Sequence, residues 1–204
     1  SGKSTLLHCI LRLMEPRQGR IRLEGRNTQS IGLRTIKSKV GLVTQHPLIL
    51  EGSLRTNLDP FGEFSDACIW EALRLLQLED FVFACPGGLD FVVLEEGINL
   101  SFGHQQLLCL ARICLRKPDV LLLDAATSSL DPHTEETVMD AILKAFAAST
   151  VLVVSDSIEL VLNLDLVAVI KQGVVIEKGA PEELSKSKDG AFAQLLAAER
   201  GEYK

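Results

Sequence analysis

The sequence lacks any apolar run of the roughly 18 residues that a membrane span requires. Its best stretch, residues 151–170, is interrupted by Ser155, Asp156, Glu159, Asn163 and Asp165. It also lacks a signal peptide, an internal repeat and any low-complexity tract. No CxxC pair occurs among its cysteines (Cys9, Cys68, Cys85, Cys109, Cys114), which are odd in number and irregularly spaced. Neither a disulfide framework nor a zinc site is expected from them, and they read as reduced cytosolic thiols, mostly buried. Positive charge is not in excess either. With 21 Lys and Arg against 27 Asp and Glu, the formal charge is −6, which argues against a general nucleic-acid binder. The chain opens on Ser1 rather than methionine, so the expectation is that it is cut from something longer.

What is present is 204 residues, 47% of them hydrophobic, enough to bury roughly 70% of the unfolded surface in a single large domain. Charge is unevenly distributed. The first 60 residues carry 10 basic and 4 acidic side chains, and the other 144 carry 11 and 23, giving +6 and −12. A solvated basic face and an anion site near the N-terminus are equally compatible with that imbalance.

Leu6, Leu7, Ile10, Leu11 and Met14 recur at helical spacing and predict a helix over 3–14. A short strand is expected between glycine turns at 19–25, and a buried strand over 40–45. A single helical period over 65–83 ends at Cys85-Pro86-Gly87-Gly88. Residues 101–117 predict a second long helix with Ser101 as N-cap. Val120-Leu121-Leu122-Leu123 reads as a parallel strand covered on both faces. Asp131-Pro132 opens a further helix as N-cap and first helical residue. Strands follow at 150–155 and 166–171, with a hairpin partner at 173–178, and helices near 181–186 and 191–199 close the chain. Strands alternating with helices predict an α/β fold with a mainly parallel sheet.

Two segments carry chemistry. Gly2-Lys3-Ser4-Thr5, leading straight into an amphipathic helix, is the second half of the P-loop pattern G-x-x-x-x-G-K-[ST]. A glycine lets backbone amides approach a polyphosphate, a lysine reaches the β- and γ-phosphates, and a hydroxyl holds Mg²⁺. The helix start adds a partial charge of roughly +0.5. Asp124 ends the apolar strand, at the carboxyl edge of the sheet, where ligands of such sheets bind and where a carboxylate can hold Mg²⁺ and its water.

These residues belong to a longer series. Gln45, Leu100-Ser101-Phe102-Gly103-His104-Gln105-Gln106, Asp124 and Ser128-Ser129-Leu130-Asp131 follow Lys3 at intervals of 42 residues to Gln45, 56 on to Ser101 and 23 on to Asp124. In order and spacing the chain resembles an ABC-transporter nucleotide-binding domain. Glu15-Pro16-Arg17-Gln18-Gly19, the stretch from Arg55 to Phe61, Pro86-Gly87-Gly88-Leu89-Asp90 and the stretch from Gln106 to Arg112 are similar to the second such domain of the multidrug-resistance-protein subfamily, subfamily C. The resemblance covers essentially the whole chain.

It implies a RecA-like P-loop NTPase core (about 1–45 and 118–204) and a helical signature subdomain (about 46–117) within one domain. The family's N-terminal antiparallel β-subdomain, and its aromatic residue that stacks on adenine, would lie before Ser1. It further implies ATP and Mg²⁺ as ligands. Gly2, Lys3, Ser4, Thr5 and Gln45 would bind nucleotide, and Ser4, Gln45 and Asp124 would hold Mg²⁺. Ser101, Gly103, His104 and Asp131 would lie at the interface with a second nucleotide-binding domain in a head-to-tail sandwich. Transmembrane domains of the same transporter would be the other partners, at the cytoplasmic face of a membrane.

Three departures limit the inference. The family's glutamate after the Walker B aspartate is Ala125, and a methyl group cannot accept a proton; losing a general base costs about 10²–10⁴ in rate. The family's switch histidine aligns with Asp156. A carboxylate 4 Å from a phosphate oxygen opposes binding by up to about 4 kcal/mol before Mg²⁺ and Lys3 screen it, unless it turns into solvent. The signature reads LSFGHQQ, where His104 either meets a phosphate or ribose or is a surface residue. The expectation is an ATP-binding domain with little or no hydrolysis at its own site. The alternatives are an ATPase that uses Asp131 or Asp156 as base, or a decayed paralogue that is at most an interaction module.

Overall fold

A computed structural model describes residues 2–187 and 189–200. The chain begins with α1 (Lys3–Ile10), β1 (Arg22–Leu23), β2 (Arg26–Asn27), α2 (Leu33–Lys39) and β3 (Val40–Val43). Next come β4 (Gly52–Ser53), α3 (Leu54–Leu58), α4 (Asp66–Leu75), α5 (Glu79–Ala84) and β5 (Val92–Val93). The middle contains α6 (Phe102–Arg116), β6 (Val120–Asp124), α7 (Pro132–Ala145) and β7 (Thr150–Val154). The last elements are α8 (Ile158–Val161), β8 (Val167–Lys171), β9 (Val174–Gly179), α9 (Pro181–Lys186) and α10 (Ala191–Glu199). Short 3₁₀ turns occur at Thr28–Ser30, Gly88–Asp90 and Glu95–Gly97. These elements group into two compact units, Ser1–Lys37 with Val153–Lys204, and Ser38–Leu152.

In the second unit, β3 and β6 pair in parallel, Val40 opposite Val120 through Val43 opposite Leu123, in a sheet of order β3-β6-β7. Leu121, Leu122 and Leu123 are at most 1% exposed, the consequence of an apolar run covered on both faces. Burying three such side chains stabilises by about 1.5–3 kcal/mol each, before conformational entropy is charged against it. A methyl on Gly41 would come within 2.8 Å of the Pro118 ring and 3.1 Å of Ile113, so only glycine lets β3 sit against the α6–β6 connection. Helix α6 packs on α4 and α3 through Leu107, Leu108, Leu110 and Ala111, all buried. Ile69 and Leu73 on α4 and Val138 and Ile142 on α7 complete this core.

In the first unit, α1 buries Leu7, and Ile36, Phe192 and Leu196 are buried with it. The β1–β2 hairpin turns through Glu24 (φ 49°) and Gly25 (φ 76°), and the β8–β9 hairpin through Gln172 (φ 52°) and Gly173 (φ 81°). Both are two-residue turns with two left-handed residues, the form whose twist matches antiparallel strands.

The α/β fold and its central parallel pairing are as the sequence predicts, and so are the caps of α6 and α7 and the β8–β9 hairpin. Three boundaries differ. The helix expected over 3–14 stops at Ile10, because Arg12 adopts a left-handed backbone (φ 53°). Arg12 N–H then bonds Cys9 O and Leu13 N–H bonds His8 O, the paired hydrogen bonds of a Schellman end. The guanidinium of Arg12 donates to Thr28 O (3.1 Å) and Ile31 O (2.8 Å) and pairs with Glu15. The helix expected over 65–83 is two helices. Gln77 (φ 56°) closes α4 the same way, with Gln77 N–H on Arg74 O and Leu78 N–H on Leu73 O. The strand expected over 19–25 shrinks to Arg22–Leu23. The short helices α2 and α3 and the β4–β5 ladder carry no sequence signal of their own. The expectation that the five thiols are mostly buried does not hold: Cys114 is buried, Cys9, Cys85 and Cys109 are half-buried and Cys68, in the exposed first turn of α4, is exposed. All five are free, and burial pushes the Cys114 thiol up to about 12, which leaves it unreactive.

Candidate nucleotide site

Helix α1 begins on Gly2, whose left-handed backbone (φ 98°, ψ 3°) favours glycine, while an added Cβ would meet the Gly173 Cα at an ordinary 3.5 Å contact. No side chain caps this end, and its first turn contains no acidic residue. The leading amides of the helix are therefore not claimed by a capping side chain, and they point outward with the positive end of the helix dipole. Ser4 and Thr5 are exposed and Lys3 is half-buried. This arrangement suits an anion of phosphate chemistry. An anion is in fact already near: Asp156, just after β7, places Oδ1 2.5 Å from Lys3 Nζ. The Asp156 side chain is 92% exposed, so it faces solvent and still engages the lysine.

In the other unit, Asp124 ends β6 half-buried at the carboxyl edge of the sheet. Ala125 follows with a left-handed backbone (φ 49°), which turns the chain sharply at the position where the family carries its base. Downstream carboxylates are already engaged. Asp131 Oδ1 accepts from Thr134 N–H (3.1 Å) at the start of α7, and hydrogen bonding from the Thr134 side chain, then from its N–H, holds the carboxyl below the usual range. Glu135 Oε1 accepts from the buried Thr127 hydroxyl (2.7 Å). Among the described residues no group of three or more His, Cys, Asp or Glu is gathered to hold a metal.

Gln45, just past β3, is exposed, and its carbonyl accepts from Gln106 Nε2 (3.4 Å). Gln106 is 0% exposed, and its Oε1 accepts from Ser129 N–H (3.3 Å). One buried amide therefore ties the segment after β3 to the segment after β6. The sequence quotes Gln106 only as part of a motif. The available signal was a glutamine on the apolar face of α6, which must find partners once buried.

At the start of α6, Ser101 Oγ accepts from His104 N–H (3.2 Å). A Cβ on Gly103 would come within 3.2 Å of Leu130, so glycine here lets the β6–α7 connection lie against the helix. His104 is half-buried, and its ring stacks on Phe81 of α5 with centroids 3.8 Å apart and planes at 24°. Burial holds its imidazole below the ordinary 6.5. The ring packs against α5, an arrangement that neither sequence alternative anticipates.

Gly2-Lys3-Ser4-Thr5 at the start of α1 and Asp124 at the end of β6 are the residue types that P-loop nucleotide-binding domains carry at such positions. The comparisons with known proteins narrow this class. The ABC transporter family model matches residues 1–128, and the chain belongs to that family. It is 38% identical over 200 residues to ATP-binding cassette sub-family C member 8 of Rattus norvegicus, covering 98% of this chain and 13% of that protein. It is 42% identical over 184 residues to sub-family C member 2 of Homo sapiens, covering 90% and 12%. A bacterial Atm1-family ABC exporter, solved with ATP bound, superposes with a TM-score of 0.93 at 27% identity, over 98% of this chain and 35% of that one. The subfamily C resemblance is therefore established, and the chain is a nucleotide-binding domain of that type. It spans about an eighth of the length of the curated relatives it matches. No helix among the described residues is long and apolar enough to cross a membrane.

Proposed function

We propose that this domain binds Mg-ATP without turning it over appreciably, and that it couples binding to transport in an exporter of the multidrug-resistance-protein type. Gly2, Lys3, Ser4 and Thr5 take the phosphates through backbone amides, the ammonium and the hydroxyls. Ser4, Gln45 and Asp124 hold the Mg²⁺, which supplies charge neutralisation on the phosphates when bound. Ser101, Gly103 and Asp131 face a second nucleotide-binding domain in a head-to-tail sandwich, and His104 holds α5 in place behind that surface. Residues 46–117 act as the helical subdomain of a single domain formed by 1–204. Transmembrane domains are the remaining partners, with this domain at the cytoplasmic face.

The observation that carries the reading is Ala125 directly after the strand-end Asp124, where a methyl group cannot accept a proton. Asp131 caps α7 and Glu135 accepts from Thr127, so each already has a structural role. The cap role of Asp131 disfavours the alternative of a substitute base there. Glutamate in place of Ala125 adopts the same backbone without further strain, since neither residue is glycine. In the full-length protein A125E raises steady-state ATP hydrolysis by about 10²–10⁴. A wild-type rate already in the ordinary ATPase range, unchanged by A125E, overturns the proposal.

A further inference from the structure

The contact between Lys3 and Asp156 joins residues 153 positions apart, at the uncapped start of α1 that follows the left-handed Gly2. A lysine at this position neutralises β- and γ-phosphate charge in the family reading, so a carboxylate on its Nζ takes the same partner that a terminal phosphate needs. We propose that Asp156 is a specificity-determining residue that acts as an internal surrogate for the γ-phosphate, making this site favour nucleoside diphosphate over triphosphate. The inference rests on the nucleotide-binding reading above and says which nucleotide the site holds best.

Two effects act in the same direction. A triphosphate must displace the carboxylate from Lys3, and an exposed ion pair of this kind is worth up to about fivefold in an equilibrium constant. The displaced carboxylate stays tethered one residue past Ser155, next to a terminal phosphate that carries the same sign of charge. A diphosphate ends one phosphate sooner, leaving more of the Lys3–Asp156 pair in place. The cost therefore falls mainly on the γ-phosphate. Asp156 is 92% exposed at its side chain and supports no core packing, so its removal leaves the fold intact.

The test is site-resolved photolabelling of the full-length protein with 8-azido-ATP and 8-azido-ADP, counting label on peptides from this domain across a concentration series. D156N keeps the shape and removes the charge; D156A removes both. The expected result is an apparent affinity for the triphosphate about fivefold tighter in both variants, with the diphosphate changed less than twofold. If both nucleotides shift equally, or neither shifts, while K3A abolishes labelling, the surrogate role is overturned and the nucleotide reading stands. If wild type and D156N alike show no label on this domain, both fall together.

Discussion

Asn57 is 0% exposed and uses its whole amide: Nδ2 donates to Leu50 O (2.8 Å) and Ser53 O (3.1 Å), while Oδ1 accepts from Leu50 N–H (2.9 Å) and Arg112 Nη2 (2.8 Å). The Arg112 guanidinium continues the network to Asn57 O and to Leu48 O. This pair anchors residues 48–53, the stretch that follows the Gln45 segment, to α6. Asn57→Ala deletes four hydrogen bonds at about 0.5–1.5 kcal/mol each, and leaves Leu50 and Arg112 short of partners, for a total near 4 kcal/mol. For a domain of this size that lowers Tm by about 8–16 °C. Arg112→Met removes the other half. Because the Arg112 guanidinium donates to both the side chain and the backbone O of Asn57, the double variant should cost about 1–3 kcal/mol less than the sum of the singles. Urea unfolding with a common slope is the assay. A loss below about 1 kcal/mol for Asn57→Ala, or strict additivity in the cycle, refutes the anchoring role.

Other outcomes follow from single residues. Gln77→Gly relieves a left-handed non-glycine residue at the end of α4 and raises stability by about 1 kcal/mol in the same urea assay; a loss instead means that the Gln77 side chain matters more than its backbone. His104 is held below its ordinary 6.5 by burial against Phe81, so the unfolded chain binds its proton more readily than the folded one. Stability is then fully present above about 6.5 and falls as pH drops from there through the folded value. His104→Phe keeps the ring stack and should flatten that part of a stability-versus-pH curve measured between pH about 5 and 8; an unaltered curve rules out His104 as its source.

The sequence makes legible what periodicity and capping chemistry control. The apolar run before Asp124, the Ser101 and Asp131 caps and the β8–β9 hairpin are local signals, and the fold uses each as written. Helix ends at Arg12 and Gln77 were not legible, because the residue that turns left-handed is a long polar one in both cases, where glycine would have announced it. Arg12 accepts that backbone while its guanidinium caps two carbonyls, far along the chain, that no window of sequence connects. The same reasoning applies at the site. The motif residues were visible one by one from spacing, whereas the commitments of their side chains are tertiary facts. The ring of His104 on Phe81, the amide of Gln106 between two loop segments and the carboxylate of Asp156 on Lys3 each join positions distant in sequence.

The direct test concerns the fate of bound nucleotide. The full-length protein is incubated at working temperature with 8-azido-ATP labelled either on the α- or on the γ-phosphate, irradiated, and the peptides of this domain are recovered. Equal retention of both labels is expected, because the triphosphate stays whole where Ala125 stands in for a base. Loss of the γ-label with the α-label still attached would mean that this site cleaves what it binds.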